Sequence, residues 1–415
     1  MLEASGRVVD PAAIKNGSLL LSLAEEHIKG YWTLFPDQEF GPQLTSTDCK
    51  MEELSLSWGS CCSGSEGAFY VFEALNSVFE SHDVRLSLRH KFSCESHQDK
   101  QKWIQAVVKC GFLVDLSSKC LEMSTSKGGS AQTYHGFISY VQAMPPLFVF
   151  YENVDAIEDA IGPQAVSNMD ILLNQMSELG YASQKMMTDA KEFRLPARRR
   201  RSYVLFVRQT NPYLDFSKQG LHDALATFRL MVASCLRSAP CVSEVLLDNA
   251  DDDEVFWCAS IPPHPQILAD LEVLLGPLVA ALRIWGLGCP LCCCGFLGQE
   301  ALLLQGFPVR PFLAAHEKLR KNEAASTQSN QPLAGSTKKR KREEKEKTIQ
   351  LDISESLMQD LAGNAMALPV VLGIVQSALC CFKWKPLVEP ATEEQLDLAM
   401  GALGILASLQ GKSGK

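Results

Sequence analysis

The sequence has no basic excess: 39 lysines and arginines stand against 48 aspartates and glutamates, a formal net charge of -9. That excludes a chain that coats nucleic acid or anionic membrane with its whole surface, and leaves room for a local basic cleft. The opening "MLEASGRVVDPAAIKNGS" lacks a basic segment followed by an apolar one, so no secretory leader is expected. A clean membrane span is lacking too. The longest apolar run, "ILADLEVLLGPLVAALRIWGLG", carries Asp270, Glu272 and Arg283 and breaks at Gly276-Pro277, which reads as a buried helical segment. A zinc ligand set is missing: Cys289, Cys292, Cys293 and Cys294 hold one Cys-x-x-Cys without a second pair at suitable spacing. Fifteen cysteines without a leader point to reduced thiols in the cytosol or nucleus. No internal repeat is present.

What is there is size and apolar content. The chain has 415 residues, 46% of them hydrophobic, enough for a large core and more than one domain. From 54 to 210, short apolar runs alternate with amphipathic stretches, an α/β pattern with a mostly parallel sheet. Strands are expected at 55–61, 87–94, 111–116, 146–151 and 202–208, and helices at 68–81, 97–109, 131–143 and 164–180. Residues 1–50 carry no clear signal. Residues 211–300 mix a helical stretch with an acidic loop. Residues 320–349 are polar and poor in apolar side chains, the composition of a disordered linker. The strongly apolar "ISESLMQDLAGNAMALPVVLGIVQSALCCF" follows, a helix pair interrupted near Gly363-Asn364 and Pro369.

Three successive strand ends carry polar groups. "SWGSCCSGSEGAFYVFEAL" is a strand, a small-residue turn and a helix. Gly64 and Gly67 let a backbone approach a ligand, and the helix start offers free N–H groups. Glu66 would repel a phosphate and suits a ligand bearing an amino group. Glu95 ends the next strand, where an acidic residue is placed for ribose hydroxyls in doubly wound folds. Asp115 ends the third. Each carboxylate alone is also what a helix N-cap requires; together, with Ser63 in the turn, they read as an adenosine-type pocket.

The order of motifs resembles that of the cytosine-5 DNA methyltransferase family, from about 57 to 382. "CSGSEG" resembles its Phe-x-Gly-x-Gly cofactor turn, with Cys62 in the aromatic position and Glu66 in place of the second glycine. "YENV" resembles its Glu-Asn-Val motif. "LPARRRRSYVLFVR" resembles Pro-Gln-x-Arg-x-Arg, with Ala197 for Gln and Arg199 and Arg201 as the two arginines. "LLLQGFP" at 302–308 resembles the segment after the target-recognition region, and "LAGNAM" at 361–366 the terminal Gly-Asn motif.

The resemblance implies a Rossmann-like S-adenosylmethionine-dependent fold. Its parts are a catalytic core at 54–208, a smaller target-recognition region at 209–300, a return to the core at 301–319, the linker, and a Gly-Asn segment of the core at 350–385. An N-terminal extension (1–53) and a tail (386–415) flank them. The cofactor turn, Glu95, Asp115 and Asn364 are expected to bind S-adenosylmethionine. The partner is DNA, with a cytosine flipped from the duplex; RNA stays open. Carbon 5 of cytosine is electron-poor, so in the family a cysteine thiolate first adds to carbon 6. Glu152 matches the acid that hydrogen-bonds ring N3 and the exocyclic amine. Arg199 and Arg201 alternate on a strand, on one face, and match the arginines that hold the exocyclic oxygen and nearby phosphate.

The family's Pro-Cys dipeptide is missing. In one register "GFLVDLSS" is the catalytic loop, Leu113-Val114 replace Pro-Cys, and there is no nucleophile. In the other, favoured by the spacing of Asp115 from Glu95, Cys120 is the nucleophile candidate before Glu152. Cys120 is otherwise an ordinary thiol. A catalytically degenerate protein that binds cofactor or nucleic acid is the alternative to an enzyme. "KKRKREEKEK" (Lys338 to Lys347) reads as a nuclear-localisation run, or as a solvated charge tract.

Overall fold

The computed structural model describes residues 17–37, 54–108, 113–115, 129–161, 166–217, 219–239, 298–308 and 355–385. Helix α1 (Leu19–Leu34) lies within the stretch that carried no clear signal. Its buried Leu19, Leu23, His27 and Tyr31 recur every four residues, with Leu20, Ala24 and Ile28 beside them, so one face enters the core. Strand β1 (Leu54–Cys61) leads through the turn to α2 (Gly67–Ser81), followed by β2 (Leu86–Glu95), α3 (Gln98–Val108) and β3 (Leu113–Asp115). These strands pair in parallel, in the order β1-β2-β3, with Glu95 in register with Asp115.

The second half departs from the expected sheet. After α4 (Gly129–Ala143), strand β4 (Phe148–Val154) pairs antiparallel with β8 (Arg200–Arg208), and β8 pairs antiparallel with β7 (Tyr181–Asp189). Between them run a short hairpin of β5 (Ala160–Ile161) and β6 (Val166–Ser167) and helix α5 (Asn168–Glu178). The mostly parallel sheet is therefore met only in β1-β2-β3 among the described residues. Strand β7, "YASQKMMTD", has alternating burial, with Ser183, Lys185 and Met187 outward, and no run of β-branched residues. Gly180, at φ 83°, stops the preceding helix, and its carbonyl accepts from Gln209 N–H, which fixes the reversal.

Helices α6 (Leu221–Ser234), α7 (Gly298–Leu303) and α8 (Glu355–Asn364) precede α9 (Leu368–Cys381). All fourteen residues of α9 are buried, and it packs against α1, α2 and α6. Its two polar residues are satisfied inside the core. Gln376 Oε1 accepts from His27 Nδ1–H at 3.2 Å and its Nε2 donates to Ala24 O at 2.8 Å; Ser377 Oγ lies 2.8 Å from Tyr31 OH. Residues Ser356–Cys381 are apolar enough for a membrane span by composition, but 89% of the most apolar stretch is buried inside the fold. Residues 240–297 of the expected target-recognition region (209–300), the linker and its basic run, the tail and Cys120 lie outside the described residues.

Candidate active site

Strand β4 delivers Glu152, and β8, lying antiparallel beside it, delivers the arginines. Glu152 is in register with Tyr203, and Val154 with Arg201, so Glu152, Arg201 and Tyr203 share one sheet face. Glu152 Oε1 lies 3.1 Å from Arg201 Nε, with both side chains largely shielded from water. Burial pushes the Glu152 carboxyl above the usual carboxylate range, against the pull of Arg201 and Arg199. Arg199 sits under the same opposing influences. Burial lowers its guanidinium from the usual value, Arg201 adds to that, and Glu152 works the other way.

The backbone that carries these arginines is pinned from below. Buried Asp189, at the end of β7, accepts from Arg199 N–H at 3.0 Å and lies 3.6 Å from Arg198 Nε. The Arg199 carbonyl accepts from Ala190 N–H at 3.1 Å, and its guanidinium donates to Gly363 O at 3.1 Å. The Gly-Asn segment thus reaches the arginine motif through Gly363. Three buried polar atoms remain without a partner on this face: Arg199 Nε, Tyr203 OH and Thr188 Oγ1. Thr188 stands in register with Arg201. Orphaned polar groups gathered around an ion pair mark a place built to receive a polar ligand. Sequence reading did not single out Tyr203, Thr188 or Asp189. The alternation of Tyr203 with Arg201 on β8 was a usable signal for the first; the other two lie on the strand that was not foreseen.

The other half of the site is the turn after β1. Cys62, Gly64 and Glu66 have φ of 56°, 52° and 53°, so every second residue is left-handed. For Cys62 and Glu66 that conformation costs about 1 kcal/mol or more relative to glycine. Glu66 therefore holds a backbone conformation that glycine would adopt without that cost. Ser63 locks the turn to β2: its N–H donates to Cys94 O at 2.9 Å, and its hydroxyl accepts from Cys94 N–H at 3.0 Å. Ser65 O accepts from Trp103 Nε1 at 3.1 Å. Gly67 has no room for a side chain, since a Cβ would stand 2.5 Å from Leu368 Cδ2.

Glu95 is placed as expected, at the strand end beside the turn, but most of its acceptor capacity is used. Oε2 accepts from Gly64 N–H at 2.8 Å, and Oε1 accepts from Ser96 and His97 N–H at 2.8 and 2.9 Å. One lone pair of Oε2 is left. Asp115 is its neighbour in backbone register. Asn364 is exposed, and its amide donates to Asp360 O and Oδ1 at 2.9 and 2.8 Å rather than to the turn. Asp360 in turn pairs with Lys100 of α3 at 2.9 Å. The structure thus brings Glu152, Arg199 and Arg201 into one cluster, and Ser63, Gly64, Glu66, Gly67 and Glu95 into another.

The described residues form an α/β fold, with one parallel and one antiparallel three-stranded sheet. Residues 118–239 match the family of C-5 cytosine-specific DNA methylases, and the likeness read from the motifs is with that family. The matched span takes in Cys120, Glu152, Arg199 and Arg201, and leaves out the turn, Glu95, Asp115 and Asn364. Among solved structures, the S. pombe Dnmt2 methyltransferase is 12% identical at a TM-score of 0.45, over 78% of this chain and 97% of that one. The Entamoeba histolytica methyltransferase EhMeth is 12% identical at 0.42, over 79% and 98%. Among curated proteins, no sequence relative matches.

Proposed function

We propose that this chain is a cytosine-5 methyltransferase that acts on DNA and takes S-adenosylmethionine as methyl donor. The observation that carries the reading is the Glu152–Arg201 pair at 3.1 Å, with Arg199 and the orphaned Tyr203 hydroxyl on the same face. A carboxyl held above its usual range, as Glu152 is, suits a group that must give a hydrogen bond to ring N3 while accepting one from the exocyclic amine. Arg201 is placed to turn from Glu152 to the exocyclic oxygen, where charge grows during attack. Arg199, anchored by Gly363 O, is placed to hold a flanking phosphate. In the family chemistry Cys120 supplies the thiolate that adds to carbon 6. The basic run from Lys338 to Lys347 serves as the nuclear address on this reading.

The donor set at the turn fits the cofactor. S-adenosylmethionine carries a sulfonium and an ammonium group, and the turn offers carboxylates: Glu66, whose buried Oε1 has no partner, and Glu95, with one acceptor position left. Ser63, Gly64, Gly67, Asp115 and Asn364 complete the set by their place around the turn and the sheet edge. When bound, the cofactor supplies an electrophilic methyl group; the chain's residues orient the base and manage its protons.

The test is a duplex DNA carrying 5-fluorocytosine, which cannot lose the proton at carbon 5 and so traps an active enzyme covalently. The expected adduct forms with the intact chain and disappears with Cys120→Ala. An adduct that survives Cys120→Ala moves the nucleophile elsewhere. No adduct, with S-adenosylhomocysteine still bound, makes the chain a binding protein, the reading favoured by the missing Pro-Cys. A labelled-methyl assay against structured RNA decides the nucleic acid, and a preference for RNA overturns the DNA assignment.

A further inference from the structure

Glu66 is a buried acid in a glycine's place. It is 1% exposed, and its left-handed backbone is one that side chains rarely adopt. It occupies the N-cap of α2 without capping it: no N–H of the helix donates to its side chain. The carboxylate turns instead toward β1, where Ser60 Oγ donates to Oε2 at 2.7 Å; Oε1 has no well-formed hydrogen bond, and the Ser93 and Ser63 hydroxyls beside the carboxyl, with Ser60, work against the burial that raises it. The titratable groups that face it are Glu95 of β2, which opposes a second negative charge, and the Cys61 thiol of β1, which stays protonated beside it. No cation pairs with Glu66 among the described residues. A protonated Glu66 would leave the turn no better than glycine does, with added backbone strain. A buried carboxylate without a cation, beside free helix N–H groups, is complementary to a zwitterion: ammonium to Glu66, carboxylate to the start of α2.

We infer that Glu66 is the receptor for the ammonium group of the cofactor's amino-acid moiety, and that it gives up a proton when that group arrives. The inference rests on the cofactor reading above and adds a recognition residue to it. Burial pushes the empty-state Glu66 carboxyl upward. An ammonium ion at hydrogen-bond distance favours the ionised form, so binding shifts the acid downward and a proton leaves to solvent. Below the empty-state value, affinity therefore rises with pH, by up to about tenfold per unit.

Isothermal titration of the full chain with S-adenosylhomocysteine, between pH 5 and 8 and in buffers of different ionisation enthalpy, reads that proton directly. The expected result is net proton release that is largest at the low-pH end and fades as pH rises. Glu66→Gln should remove the linkage and weaken binding tenfold or more at pH 8. Glu66→Gly, which suits the left-handed backbone, keeps the fold and should show the same loss. 5′-Methylthioadenosine has the nucleoside without the amino acid; it should bind wild type and Glu66→Gln alike, with no proton released. If S-adenosylhomocysteine binds without proton release and Glu66→Gln binds it equally, the inference is overturned while the cofactor reading stands. If neither ligand binds the wild type, both fall together.

Discussion

At the scale of residues, the Glu152–Arg201 cluster makes opposite demands on stability and on the proposed function. Removing one partner of a shielded ion pair leaves the other uncompensated. Arg201→Ala should therefore lower unfolding free energy by about 2 kcal/mol, read from urea titrations, and should also abolish adduct formation. Tyr203→Phe should behave the other way. Its hydroxyl is buried with no partner, an arrangement that costs on the order of 1 kcal/mol. The variant should be as stable as wild type or more so, while binding of cytosine-containing DNA weakens about tenfold. A loss of both together would show that the hydroxyl serves the fold instead. His27 gives a pH test. Burial lowers its pKa from 6.5 to about 4. The unfolded chain therefore binds the proton first, and stability is full above about pH 6.5 and falls as pH drops toward 4. The slope is about 1.4 kcal/mol per unit inside that window. Thermal melts of wild type should show it, and His27→Gln should flatten it.

At the scale of elements, turn and helix are matched through contacts with little slack. Gly67→Ala would put a Cβ 2.5 Å from Leu368 Cδ2. Because that atom ends a side chain in a fully buried helix, the cost should be about 1–3 kcal/mol by chemical denaturation. The same elements show what the sequence made legible. Parallel strands β1 and β2 were visible because their apolar runs end in turn residues, and helices α2 to α4 because their amphipathic stretches follow those strands. Glu152 and the arginine pair were legible because β4 and β8 are apolar runs with charge at one end. Strand β7 was not, since its consecutive Ser183, Gln184 and Lys185 read as a polar loop rather than as an apolar run. With β7 went Thr188 and Asp189, which register alone brings to Arg201 and Arg199. Helix α1 was legible in principle: its four-residue repeat from Leu19 to Tyr31 is a helical period. Asn364 was matched by motif, yet its partner, Asp360 four residues earlier, is set by local helix geometry that the motif does not encode.

At the scale of the whole molecule, the core closes on its last described helix. Helix α9 fills the space between α1, α2 and α6 with fourteen buried residues. A chain cut at 350 loses it and exposes the apolar faces of the other three. Such a truncation should be insoluble, or soluble with dye-binding apolar surface and no cooperative melt; a cooperative melt at the wild-type temperature would contradict this. Growth of the chain on the ribosome then has a direction-dependent cost. His27 and Gln376, hydrogen-bonded in the core, are 349 residues apart. At roughly 5–20 residues per second, α1 waits on the order of 20–70 s for the helix that shields it. Throughout that interval the part of its apolar face that α9 covers stays open, although α2 covers another part much earlier. Any product that ends before α9 leaves that part of the core open for good, an apolar surface of the kind that makes incomplete chains prone to aggregate.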